Sequence, residues 1–132
     1  MGNLNRDQMP IHIDFFHPSR LVIAVVRGTI TAHDVRDAVQ QFLTSDVLHY
    51  RKIIDIASPT TPLDNAGVQA LANLVLSQPV SRPRGALAFV VSPGQAADNA
   101  EVFAQLTGGE RPVKVFHSLH AARKWLDEHP RP

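Results

Sequence analysis

Apolar and polar positions alternate along this chain with two distinct periods. Ile11-His12-Ile13-Asp14-Phe15 switches at every residue, as a strand with one face exposed does. After the turn His17-Pro18-Ser19-Arg20, the run Leu21 to Val26 is unbroken and rich in β-branched residues, which suits a strand covered on both faces. The short connection makes these two an antiparallel hairpin. Lys52-Ile53-Ile54-Asp55-Ile56 and Ala86 to Val91 read as central strands, and Val113 to Phe116 as a short strand at an edge. Between them the period changes to that of a helix. Val35, Ala38, Val39 and Phe42 form one stripe, and Val68, Leu71, Ala72 and Val75 a second. Ala96, Ala100, Phe103 and Leu106 form a third, and Leu119, Ala122, Trp125 and Leu126 a fourth.

The junctions between these segments carry helix-start chemistry. Thr31…Asp34, Thr61…Asp64 and Ser92…Gln95 each place a hydroxyl three residues before an acid or amide. The hydroxyl accepts from a free amide of the first turn, and the later side chain reaches back to the cap. Pro62 and Pro93 follow two of these hydroxyls, where a missing N–H costs nothing. Thr61 therefore predicts a helix starting within two or three residues, Ser92 opens the third helix, and Ser118 caps the fourth. Gly28 ends the second strand, and Gly108-Gly109 stops the third helix. The order β-β-α-β-α-β-α-β-α implies a single α/β domain over residues 11–129. It has a mostly parallel sheet of four to five strands, an antiparallel first strand and four helices. Residues 1–10 read as a flexible N-terminal segment.

Composition narrows the class of function. The 132 residues are enough for one domain that buries roughly two-thirds of its unfolded surface. Thirteen Lys and Arg against twelve Asp and Glu give a net charge of +1, without the basic footprint of a nucleic-acid binder. There is no cysteine, so disulfides and thiolate metal sites are excluded. No apolar run is long enough for a membrane span or a signal peptide, and a cytoplasmic location is expected.

Candidate chemistry is sparse. Seven histidines include His117 and His120, three apart, but no carboxylate shares that motif and no metal site is expected. Asp55 stands at a strand's C-terminal end, where α/β sheets usually hold sites, but no second acid, base or nucleophile is placed beside it. Neither a Gly-rich phosphate loop nor a nucleophile elbow occurs. Catalytic residues, enzyme activity and cofactors are therefore not expected. Arg51, Lys52, Arg82 and Arg84 precede the two central strands on one rim of the sheet. Balanced by acids overall, they read as solvated charge, with a patch for an acidic partner or lipid headgroup as the alternative. Leu74 and Leu76 lie off the second helix's inward stripe and make its outer flank a candidate contact surface or homodimer face.

Two stretches resemble a known family. Val113-Lys114-Val115-Phe116 followed by Ala121-Ala122-Arg123-Lys124-Trp125-Leu126 resembles the closing strand and helix of bacterial SpoIIAA-like proteins. Leu21 to Asp34, with Arg27-Gly28-Thr29-Ile30-Thr31, resembles the opening of the same fold. The resemblance implies a SpoIIAA-like β-α superhelix of the wider STAS, or anti-sigma factor antagonist, group. In those domains a regulatory serine sits in an Asp-Ser-Ser-Gly run, onto which Asp64-Asn65-Ala66-Gly67 falls here with both hydroxyls missing. Ser58, Thr60 and Thr61 lie just upstream. The implied function is a non-enzymatic regulatory or protein-interaction module, presenting Ser58, Thr60, Thr61, Asp64, Asn65 and Leu74 to a protein partner. The alternative is a carrier or sensor of a small apolar, lipid-like ligand, because related proteins are grouped with lipid-carrying Sec14-type domains.

Overall fold

A computed structural model describes residues 11–56, 60–61, 64–78, 83–109 and 111–129. β1 (Ile11–Phe16) and β2 (Leu21–Val26) pair antiparallel, with Ile11 opposite Val26 and Phe16 opposite Leu21. A single 3-10 turn, His17–Ser19, joins them and closes on Arg20 in the left-handed conformation, φ 52°. β4 (Arg51–Ile56), β6 (Leu87–Val91) and β7 (Val113–Phe116) continue the sheet in parallel, in the order β1-β2-β4-β6-β7. The edge position expected for Val113–Phe116 is thus observed. A second, two-stranded parallel sheet joins β3 (Gly28–Thr29) to β5 (Thr60–Thr61).

Residue parity assigns the two faces of the main sheet. Leu21, Ile53, Ala88 and Val90 point to the face covered by α4 (Leu119–Asp127), packing on Ala122 and Leu126. Val22, Ile54, Leu87, Phe89, Val113 and Val115 point to the other face. That face is covered by α1 (Ala32–Thr44), α2 (Asn65–Leu76) and α3 (Gln95–Thr107). The strands β4 and β6 are therefore enclosed from both sides, as their continuous apolar sequences require.

Two helix starts behave as their sequences imply. At α1, Asp34 N–H donates to Thr31 Oγ1 (3.1 Å) and Thr31 N–H to Asp34 Oδ2 (2.9 Å), a complete capping box. At α4, Ala121 N–H donates to Ser118 Oγ (3.1 Å).

Two others differ. Thr61 is not a cap, because its backbone belongs to β5; α2 begins four residues later, and Asp64 caps it by accepting from Gly67 N–H (2.7 Å). Ser92 is not a cap either. Gly94, at φ 140°, occupies the N-cap of α3 without a side-chain bond, and Gln95 is already helical, donating to Asn99 Oδ1 (2.9 Å). A glycine-only backbone angle replaces the hydroxyl there.

Two leucines expected inside are exposed. The stripe on α3 runs from Phe103 to Thr107, whose hydroxyl donates to Phe103 O (2.9 Å), and this turns Leu106 outward. Leu119 opens α4 only three residues after β7 ends, so it sits at the rim of the sheet.

Gly85 marks the closest backbone approach. A Cβ there would lie 2.1 Å from Tyr50 O and 2.6 Å from His49 O, both backbone atoms. Gly109 has open space around its own. Gly85→Ala is expected to lower unfolding free energy by about 3 kcal/mol, at the upper end of overpacking costs, while Gly109→Ala stays within about 0.5 kcal/mol of the parent. Urea denaturation of the two variants checks this.

Candidate functional site

The three-helix face does not close completely. A cavity of about 190 Å³ lies between the sheet and α1, α2 and α3. Its floor is Ala24 and Val26 of β2, Ile54 and Ile56 of β4, and Leu87 and Phe89 of β6. Its walls are Val35, Ala38, Val39 and Phe42 of α1, Val68, Leu71 and Val75 of α2, and Ala96, Ala100 and Phe103 of α3. Small side chains create the space: Ala24, Ala38, Ala96 and Ala100 all face it. An apolar cavity of about 150 Å³ is known to take up benzene, so this volume admits a small organic molecule.

One end of the cavity is cationic. Lys52, Arg84 and Arg111 line it, together with Gln78. Strand register brings them together: Lys52 pairs with Leu87 and Leu87 with Val113, while Arg84 and Arg111 lie just before those positions. All three side chains are buried, with Lys52 3%, Arg84 7% and Arg111 7% exposed. Lys52 Nζ donates to Leu48 O and Tyr50 O, each at 2.8 Å, and Arg84 Nη2 donates to Gln78 O at 3.0 Å. Burial pushes the Lys52 ammonium well below the ordinary lysine range, and the Arg111 and Arg84 guanidiniums push it in the same direction. No acid, hydroxyl or histidine is among the described residues lining the cavity.

The expectation of solvated charge at this rim is overturned. Lys52 occupies an inward parity on a strand covered on both faces, so it has no solvent side to reach. Arg51, on the opposite parity, is also buried; its guanidinium donates to Leu126 O (3.1 Å) and Ser19 O (3.0 Å), clamping the end of α4. Arg82 lies outside the described residues. A signal was present in the sequence: a lysine inside an otherwise apolar central strand is a buried cation by position.

Of the expected interaction surface, Asp64, Asn65 and Leu74 have described side chains. Ser58 lies outside the described residues, and Thr60 and Thr61 are placed as backbone only, in β5. Asp64 and Asn65 are exposed at the start of α2, where Asp64 is occupied as a cap. Leu74 is half-buried, and Leu76 is the exposed large hydrophobic of that helix. Asp55 faces the α4 side, away from the cavity, and its buried Oδ1 makes no hydrogen bond. His117 Nδ1 lies 2.7 Å from Val91 O, and no three His, Asp or Glu side chains gather among the described residues.

No protein-family model matches the chain, and no curated protein matches it. A solved structure does. It is an uncharacterised protein of the DUF3478 family with a SpoIIAA-like fold, from Shewanella loihica PV-4. The two share 16% identity over 88% of this chain and 91% of that one, with a TM-score of 0.62. This chain therefore has a SpoIIAA-like fold. The five-stranded sheet with one antiparallel strand and four helices, expected from the pattern, agrees with it. Among the described residues no helix is long and apolar enough to cross a membrane.

The state of Lys52 has a consequence for stability. Unfolding returns the amine to water and its ordinary value of 10.5, so above the lowered folded value the unfolded chain binds the extra proton. Unfolding free energy must then rise with pH between the lowered value and 10.5, and that gain is lost as pH falls through the folded value. Lys52→Met is expected to flatten this slope, as measured by urea titrations at a series of pH values.

Proposed function

We propose that this protein is a non-enzymatic carrier or sensor of one small apolar ligand, held between the sheet and helices α1 to α3. The observation that carries the reading is the 190 Å³ cavity with its apolar walls. Ligand sites are commonly concave, largely apolar and fixed by a few polar groups, and this arrangement has that form. A non-enzymatic role is supported by the chemistry of the lining, where the described residues offer cations and amides but no acid, hydroxyl or imidazole. General acid–base or nucleophilic catalysis at pH 7 needs one of those groups or an activated lysine with a reacting partner.

A protein-docking role for α2 has less support. Among the described residues the exposed large hydrophobics Phe16, Leu76, Leu106 and Leu119 belong to four different elements. A regulatory role fits the ligand reading without a separate surface, since filling the cavity would act on three helices at once.

Octanoate and n-octanol serve as probes. Saturable amide shifts in ¹H–¹⁵N spectra, confined to cavity residues such as Val39, Ile54, Leu71 and Ala100, are expected with at least one of them. Ala100→Phe should weaken binding at least tenfold while the remaining spectrum and the far-UV circular dichroism persist. If neither probe shifts these amides up to its solubility limit, the reading is wrong.

A further inference from the structure

We propose that Lys52 is a covalent attachment point, forming a reversible imine with an apolar aldehyde held in the cavity. The inference rests on the cavity being a ligand site and goes on to name the ligand's reactive group and the atom that holds it.

A lysine is an uncommon lining for such a space. Lys52 stands on the same parity of β4 as Ile54 and Ile56, and all three line the cavity. It is almost fully buried, at 3% exposed. Nζ lies between two wall residues, donating to Leu48 O at 2.8 Å and sitting 5.9 Å from the centre of the Phe42 ring. A second bond, to Tyr50 O at 2.8 Å, fixes its orientation. No carboxylate lies within ion-pair reach of Nζ among the described residues.

Anchoring the loop ahead of β4 accounts for both hydrogen bonds. It does not account for an amine set at the edge of an apolar space, where burial opposes the ammonium form. Burial comes before the neighbouring guanidiniums in setting that state. An ammonium has three N–H donors, and loss of one proton leaves two and a lone pair. The two carbonyls take the two N–H groups, so the lone pair is held in one direction as a nucleophile. Desolvation in an apolar pocket is a recognised way to activate a lysine toward carbonyl compounds.

The step needs no oxidant or reductant. The Nζ lone pair attacks the carbonyl carbon, a C–N bond forms, and the carbonyl π pair moves to oxygen. Both amine hydrogens pass to that oxygen, water leaves, and a C=N bond remains. Uptake of one proton from solvent gives the iminium, which keeps a single N–H. Tyr50 O takes that N–H, since Leu48 O also accepts from Gly85 N–H at 3.2 Å. The loop therefore stays anchored after attachment. Position selects the class of carbonyl as well. Lys52 shares one end of the cavity with buried Arg84 and Arg111, so a carbonyl substituent has space in one direction, toward Ile54 and Ile56. An aldehyde, with one chain, meets that condition, and a ketone with two does not.

The probe is octanal, with sodium cyanoborohydride reducing any imine to a stable secondary amine on the intact protein at pH 7. Peptide mass mapping compares the lysines of one chain: Lys52, and the exposed Lys114 and Lys124, which do not line the cavity. Lys52 is expected to be alkylated at least ten times faster than either. Ala100→Phe, by filling the cavity, should remove that preference. The rates are first compared within the parent chain, so a variant that fails to fold leaves the test intact. Alkylation of Lys52 no faster than the exposed lysines, while n-octanol or octanoate shifts the cavity amides, would overturn the imine and leave the cavity reading standing. A preference that persists in folded Ala100→Phe would also overturn it, because the aldehyde would then reach Nζ by another route. If Lys52 shows no preference and neither n-octanol nor octanoate shifts a cavity amide, the cavity reading fails as well.

Discussion

The structure depends on one constraint: the central strands β4 and β6 are covered on both faces, by three helices on one side and α4 on the other. A strand enclosed this way gives its side chains no route to water along most of its length. Apolar residues satisfy the condition directly, and Ile53, Ala88 and Val90 are almost fully buried. Polar residues at the strand starts must instead find partners inside. Arg51 does so on the α4 face, where it ties the last carbonyls of α4 to the turn after β1. Lys52, one residue later and so on the opposite face, ties down the loop ahead of β4. Two adjacent cations thus fasten α4 and the loop ahead of β4 to the same end of the central strand.

The helical layer on the three-helix face is not one continuous core. Val22, Val47 and Tyr50 form one cluster, extended by Phe42 of α1. Val68, Ala72, Leu87, Phe89, Ala100 and Phe103 form another, built on α2 and α3. The cavity takes walls from both, so it lies at the seam between them. Lining atoms at such a gap lack contacts on one side and forgo dispersion attraction they would otherwise have. A molecule of fitting shape restores those contacts and joins α1 to the α2–α3 pair. Binding and packing are then the same event, which is how a carrier or sensor of this size would register its load.

Much of the scaffold was legible in the chain. The hairpin, the parallel direction of the later strands, the edge position of β7 and the capping box at Thr31 follow from periodicity and local chemistry, while the order of the strands does not. The errors have different causes: longer-range pairing outvoted one local signal, and a neighbouring side chain displaced another. Thr61 carries good capping chemistry, but pairing with Thr29 draws its backbone into a strand and hands the cap to Asp64. Leu106 fits the helical stripe by spacing, yet Thr107 takes the inward place because its hydroxyl is satisfied by Phe103 O. The cavity was not legible at all. It arises from four alanines on three elements, and no sequence pattern tells a snug alanine from one that faces a void. The cationic end was half legible: the grouping of Arg51, Lys52 and Arg84 on one rim could be read, but their burial required knowing that both faces were covered.

A SpoIIAA-like fold says where elements lie and not what chemistry they carry, so the functional argument has to rest on these side chains. The space is apolar along most of its lining, and Lys52, Arg84 and Arg111 at its end are buried. A buried amine can shed its proton, and the depression of Lys52 shows that tendency. Guanidinium groups have no such escape, because they keep their charge under any condition a protein survives. Arg84 and Arg111 therefore keep their charge beside Lys52, and that charge lowers the lysine's proton affinity. The lysine is the adjustable member of the trio and the two arginines the permanent ones.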